Sequence, residues 1–136
     1  LAAELADTML SWAQMRDLAA AGWTIGAHTV THSNVALIDP AHAEAEITGS
    51  RDALAGALGT PVCHFCYPNS GGQHAYFGAG VVEILKRAGF RSATTSRPGG
   101  VRLSSDPFLL PRLGVSPRIG SVPDLAAAME RQRLAA

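Results

Sequence analysis

The chain has 136 residues, 47% of them apolar and 16% charged, and its formal net charge is zero. That length supports one domain with a real core and hardly two, and the composition is globular rather than disordered. No basic excess points to nucleic acid, no charge block to a membrane surface, and no apolar run is long enough to span a bilayer.

Read in chain order, no charged-then-apolar leader opens the stretch. The first residue is Leu rather than Met, which reads as a fragment or a processed product and leaves cytoplasm and cell envelope both open. Ser11 is a good N-cap for a helix over 12–21, with Trp12, Met15, Leu18 and Ala19 at helical spacing and Gly22 as its stop. Residues 23–26 form a short strand, and both tryptophans, Trp12 and Trp23, are assigned to the core. Asp39-Pro40 starts a second helix, with Asp at the N-cap and Pro at N1. It runs to Leu58 with Ile47, Leu54 and Leu58 inward, and Gly59 ends it. Residues 62–67 read as a strand, 68–72 as a loop, 81–88 as a helix closed by Gly89, and 90–95 as a strand. A Gly/Pro/Ser loop spans 97–107, a last strand 109–115, and Ser121 caps a final helix from 122 to 134.

The alternation of helices and strands predicts an α/β fold with a largely parallel sheet and right-handed crossovers. No repeat, linker or low-complexity segment divides the chain, so residues 1–136 are read as a single domain. Sites in such folds gather at the C-terminal ends of strands. The loops 28–32, 68–72 and 97–107 all fall there.

The first of these carries His28 and His32, four residues apart. Imidazole is the commonest protein ligand for zinc and similar ions. In an extended strand four residues span roughly 13 Å, too far for two ligands each about 2 Å from one ion. The segment must therefore coil, which brings i and i+4 side chains to roughly 6 Å at Cβ. The β-branched Thr29, Val30 and Thr31 disfavour a long helix, so a strand end followed by a compact metal-binding loop is expected. His42 and His64 are read as structural or solvated.

The two cysteines, Cys63 and Cys66, form a C-x-x-C. Redox pairs of this kind commonly sit at a helix N-terminus, but this stretch is β-branched and aromatic. A strand sends residues three apart to opposite faces. Two separate thiols with no disulfide are expected, and no second C-x-x-C completes a four-thiolate site.

The segments Leu10-Ser11-Trp12 and Ala21-Gly22-Trp23-Thr24-Ile25-Gly26-Ala27-His28-Thr29-Val30-Thr31-His32 resemble the second motif of polysaccharide deacetylases, the NodB-homology or family 4 carbohydrate esterases. Phe65-Cys66-Tyr67-Pro68-Asn69 resembles their third motif in its F-x-Y-P form. Residues 88–95 and 106–113 resemble the later part of that subgroup, and the likeness runs from about residue 10 to 115. It implies a partial distorted (β/α) barrel of the NodB-homology type, lacking the first strands. It also implies a divalent metal, commonly Zn2+, held by one Asp and two His.

The implied reaction is removal of N-acetyl or O-acetyl groups from a polysaccharide or chitooligosaccharide. His28 and His32 match the metal-binding histidines. Asn69 matches a residue whose backbone N–H helps hold the oxyanion, and Tyr67 and Pro68 fall where substrate is bound. Cys66 stands where other subgroups carry an Arg supporting the catalytic base, a role Arg112 is expected to take over. The motif supplying the metal Asp and the base Asp would precede Leu1, and no His follows His74 to act as the family's acid. His74 itself, and Asp106 and Asp124, are weaker candidates. The chain alone is therefore expected to be inactive. An exposed sheet edge where the first strands are missing would favour self-association. Two rival readings remain at this point: a non-catalytic carbohydrate-binding or structural remnant of the fold, and a small thiol-based protein using Cys63 and Cys66.

Overall fold

The computed structural model describes residues 9–68, 77–115, 117 and 119–135. Helix α1, Trp12–Ala20, starts at a capping box. The Gln14 N–H donates to Ser11 Oγ (3.2 Å), and the Ser11 N–H donates to Gln14 Oε1 (2.8 Å). Helix α2, Pro40–Leu58, has Asp39 accepting from the Ala41 and His42 N–H groups, and it ends at Gly59 in the left-handed region (φ 68°). Strand β1, His64–Cys66, helix α3, Ala79–Arg87, strand β2, Ser92–Thr94, and helix α4, Val122–Ala135, complete the order. No described helix is long and apolar enough to cross a membrane.

Strands β1 and β2 run parallel, with Phe65 opposite Ala93. Ala27 bridges Phe65 on one side of this pair and Leu110 bridges Thr94 on the other, both in parallel. Four parallel segments thus lie side by side in chain order, and among the described residues the sheet stays open. The run expected as a strand over 23–26 is not one, pairing beginning one residue later at Ala27, and the run expected over 109–115 shrinks to the single bridge at Leu110. Trp23 is held back because its N–H donates to Leu18 O at the end of α1 (3.0 Å). Beyond Leu110, Pro111 has no N–H to give, and the Arg112 N–H turns to Arg97 O (2.9 Å).

Side chains alternate across the sheet. One face buries Ala27, Phe65 and Ala93 against the helices, together with Ile47, Leu85 and Phe90. Phe65 meets Tyr67 and Phe90 edge-on, with ring centroids 5.4 and 5.5 Å apart. The other face presents Gly26, His28, His64, Cys66, Ser92 and Thr94 to an open hollow of about 490 Å3. Gly26 has a steric reason: a Cβ there would lie 3.1 Å from His64 O, against the neighbouring strand.

The tryptophans differ from expectation. Trp12 is 48% exposed and Trp23 68%, and no residue of α1 is buried. Helix α1 lies against α2, where Arg16 Nη1 donates to Ala57 O (3.3 Å). Helical spacing marks an apolar stripe; it does not say how much of that stripe the fold covers.

Candidate metal-binding loop

The loop begins where the sheet ends. The Ala27 N–H donates to His64 O (2.8 Å), and the Cys66 N–H donates to Ala27 O (2.9 Å). His28 is the next residue, so the sheet fixes its backbone. Its ring Nδ1 lies 2.7 Å from Cys66 O. A carbonyl only accepts, so Nδ1 carries a proton, and in the neutral ring the Nε2 lone pair is then left for a cation. Ligating histidines are commonly held this way, by a carbonyl on the other ring nitrogen.

The chain then coils. Thr29 and His32 both take positive φ, 65° and 62°. This is uncommon outside glycine and worst for a β-branched residue, at about 1–3 kcal/mol for each. The coil brings the two rings edge to face, with centroids 4.9 Å apart. The extended alternative would have separated them.

Glu46, from α2, holds the coil. Its Oε2 accepts from the N–H groups of Val30 and Thr31, both at 2.8 Å, and its Oε1 accepts from Thr31 Oγ1 at 2.8 Å. The Thr31 N–H above all, then the Thr31 hydroxyl and the Val30 N–H, keep this carboxyl below its ordinary value; partial burial opposes them. Sequence reasoning missed Glu46. In the structure it stands half-buried beside Ile47, on the face of α2 where Ala43, Ile47 and Ser50 are buried.

The remaining candidates are distributed as follows. Arg112 reaches the same corner, with Nη1 3.4 Å from Cys66 Sγ, so it touches the residue whose carbonyl orients His28. Tyr67 and Pro68, which the resemblance puts at the substrate, are buried. Tyr67 follows β1 on the core face, its N–H donates to Thr94 O (3.1 Å), and its hydroxyl donates to Phe108 O (3.0 Å). Burial, and secondarily the charge of Asp106, push that hydroxyl's pKa well above the usual tyrosine value. Asn69 and His74 lie outside the described residues. His42 pairs with Asp39, and His64 Nδ1 is 2.9 Å from Ser92 Oγ; both rings are exposed. Asp106 caps the Phe108 N–H, and Asp124 bonds Ser121 Oγ. Cys63 and Cys66 are free thiols.

A hydrolytic metal centre takes three protein ligands and keeps a position for water. The His pair fits two of the three, as neutral nitrogen donors brought together with one tautomer fixed. Among the described residues no group of three or more His, Cys, Asp or Glu side chains is placed to hold an ion.

Parallel segments in chain order, with paired imidazoles on the loop leaving the first of them, define an α/β protein whose candidate site lies at the strand ends. The polysaccharide deacetylase family profile matches residues 2–93, and the chain belongs to that family. Its fold is similar to that of the Streptococcus pyogenes deacetylase PplD, solved in complex with acetate. The TM-score is 0.79 and the identity 22%, over 88% of this chain and 50% of that one. A polysaccharide deacetylase from Bacillus cereus is similar at TM-score 0.70 and 23% identity, over 88% and 36% of the two chains. IcaB from Ammonifex degensii is similar at TM-score 0.70 and 26% identity, over 89% and 54%. The chain thus spans about half or less of the length of these structures. No curated protein matches it.

Proposed function

We propose that this chain carries the two-histidine part of a divalent-metal-dependent hydrolase that removes acetyl groups from an acetylated polysaccharide or oligosaccharide. Family membership supports the reaction class. The observation that carries the metal assignment is the pairing of His28 and His32 at 4.9 Å, with His28 Nδ1 tied to Cys66 O. The four parallel segments are, in this reading, a portion of a distorted (β/α) barrel.

His28 and His32 would hold a divalent ion of the zinc type, which would supply Lewis acidity to water and to the acetyl carbonyl. This chain's residues do the rest that can be named. His28 and His32 offer neutral nitrogen donors. Cys66 O keeps the His28 proton on Nδ1. The Arg112 guanidinium brings positive charge to the same corner, where it can orient a carboxylate base. The third ligand, the base and the acid come from outside the described residues, with the Asn69 N–H as an oxyanion donor. The chain spans 50% and 36% of the length of two similar solved deacetylases, and the proposal takes it to be inactive alone.

Calorimetric titration with zinc tests the assignment. Wild type should bind weakly, because the described residues bring together two ligands and no third, and His28→Ala and His32→Ala should each abolish the binding. Equal affinity in wild type and either variant removes the site. Acetate release from acetylated chitooligosaccharide or xylan by the chain alone, with added zinc, would overturn the statement about inactivity.

A further inference from the structure

We propose that Glu46 is a positioning residue which holds the 28–32 loop in its ligand-ready shape before any ion arrives. This rests on the reading of His28 and His32 as metal ligands, and it adds a residue to that site. Two strained residues, Thr29 and His32, flank Val30 and Thr31. A loop with positive φ at two non-glycine residues persists only when its surroundings over-determine it. Within the loop Thr29 Oγ1 donates to His28 O (2.6 Å) and Thr31 Oγ1 pairs with Ser33 Oγ (2.7 Å), and from α2 the support is the Glu46 side chain. Successive N–H groups in a tight coil make a concavity that attracts an anion, and the Glu46 carboxylate fills it with three hydrogen bonds, all at 2.8 Å.

The grip comes from a rigid element. Glu46 stands in the middle of α2, between the buried Ala43 and Ile47. One turn on, Gly49 lies beneath Val30, where a Cβ would come within 3.1 Å of Val30 Cγ2. The loop is therefore seated on the helix by a carboxylate and a gap. Without the carboxylate, the two N–H groups lose their acceptor and the strained φ values lose the three hydrogen bonds that tie the coil to α2. The rings then sample separations that one ion cannot bridge, and binding must first reorder the loop.

The test uses the whole chain and two readouts. The first, in metal-free protein, is amide hydrogen exchange at Val30 and Thr31. Both should be protected in wild type and should exchange much faster in Glu46→Ala, which removes the acceptor, and in Glu46→Asp, whose carboxylate is one methylene short. Exchange in the middle of α2 should stay unchanged. The second is zinc titration of the same proteins, with Glu44→Gln as the control on the exposed side of the helix. Affinity should fall about 10–100-fold, the usual effect of losing a group that orients ligands, and the control should bind like wild type. Unchanged exchange at Val30 and Thr31 in both folded variants overturns the proposal, as does wild-type zinc affinity in them. Protected amides in a wild type that binds no zinc would instead sink the metal reading and leave the Glu46 grip standing, so the two failures are separable.

Discussion

Removing one oxygen from Tyr67 should loosen the two strand segments that flank β2. The ring of Tyr67 is fully buried, and its hydroxyl donates to the backbone carbonyl of Phe108 at 3.0 Å, across 41 residues of sequence. Tyr67→Phe keeps the ring contacts with Phe65 and Phe77 and deletes only the donor. A lost bond of this kind that strands a buried acceptor costs about 1–3 kcal/mol. Unfolding entropy near 2.1 cal/mol/K per residue makes each kcal/mol worth about 3.5 °C in a chain of this length, so Tm should drop by about 3–10 °C. Urea and thermal unfolding by circular dichroism measure it. The alkaline limb gives a second reading. The folded hydroxyl titrates above its usual value because of burial, so between about pH 10 and that higher value the unfolded state binds fewer protons. Stability from this group is complete below about pH 10 and is lost above it. Tyr67→Phe should flatten that decline. A variant within about 0.5 kcal/mol of wild type, with an unchanged alkaline limb, would refute the claim that this bond ties the segments together.

Two further outcomes are expected. Cys63 and Cys66 should both alkylate under non-reducing conditions, giving two labels by mass spectrometry; an unlabelled chain lighter by two hydrogens would contradict the free thiols and the geometry of β1. Tryptophan emission should be solvent-like and readily quenched by acrylamide, because Trp12 and Trp23 are 48% and 68% exposed; a blue-shifted, protected signal would mean that α1 is covered by something, such as a second copy.

Local chemistry was the legible part of this sequence. Ser11, Asp39-Pro40 and Gly59 mark helix ends through groups that act within four residues, and α1 and α2 begin or end where those groups dictate. The coil at His28–His32 followed from a distance argument, since an extended chain cannot bring the rings together. What sequence could not supply was the partner of each element. Trp12, Met15, Leu18 and Ala19 form a stripe, yet only tertiary structure decides its cover. Tyr67 follows β1, and the alternation of that strand turns its ring into the core, where it meets Phe108 O, a partner 41 residues away. Glu46 lies 15 residues from Thr31, and no local rule connects a helix carboxylate to a strained loop at that distance.

The order in which the four parallel segments sit has a consequence for how the molecule comes together in time. Ala27 bridges Phe65 over 38 residues, β1 meets β2 over 28, and Thr94 meets Leu110 over 16. Closure entropy grows as (3/2)RT ln n, so the first of these pairings starts about 0.8 kcal/mol behind the last. Long-range parallel pairing also slows folding as a whole. The segment that carries His28 is thus the costliest to dock, and the loop it anchors should be among the last structures to acquire protection in a pulse-labelled refolding experiment. An ion offered to the unfolded chain would meet two imidazoles on a flexible tether; offered late, it would meet a formed cradle.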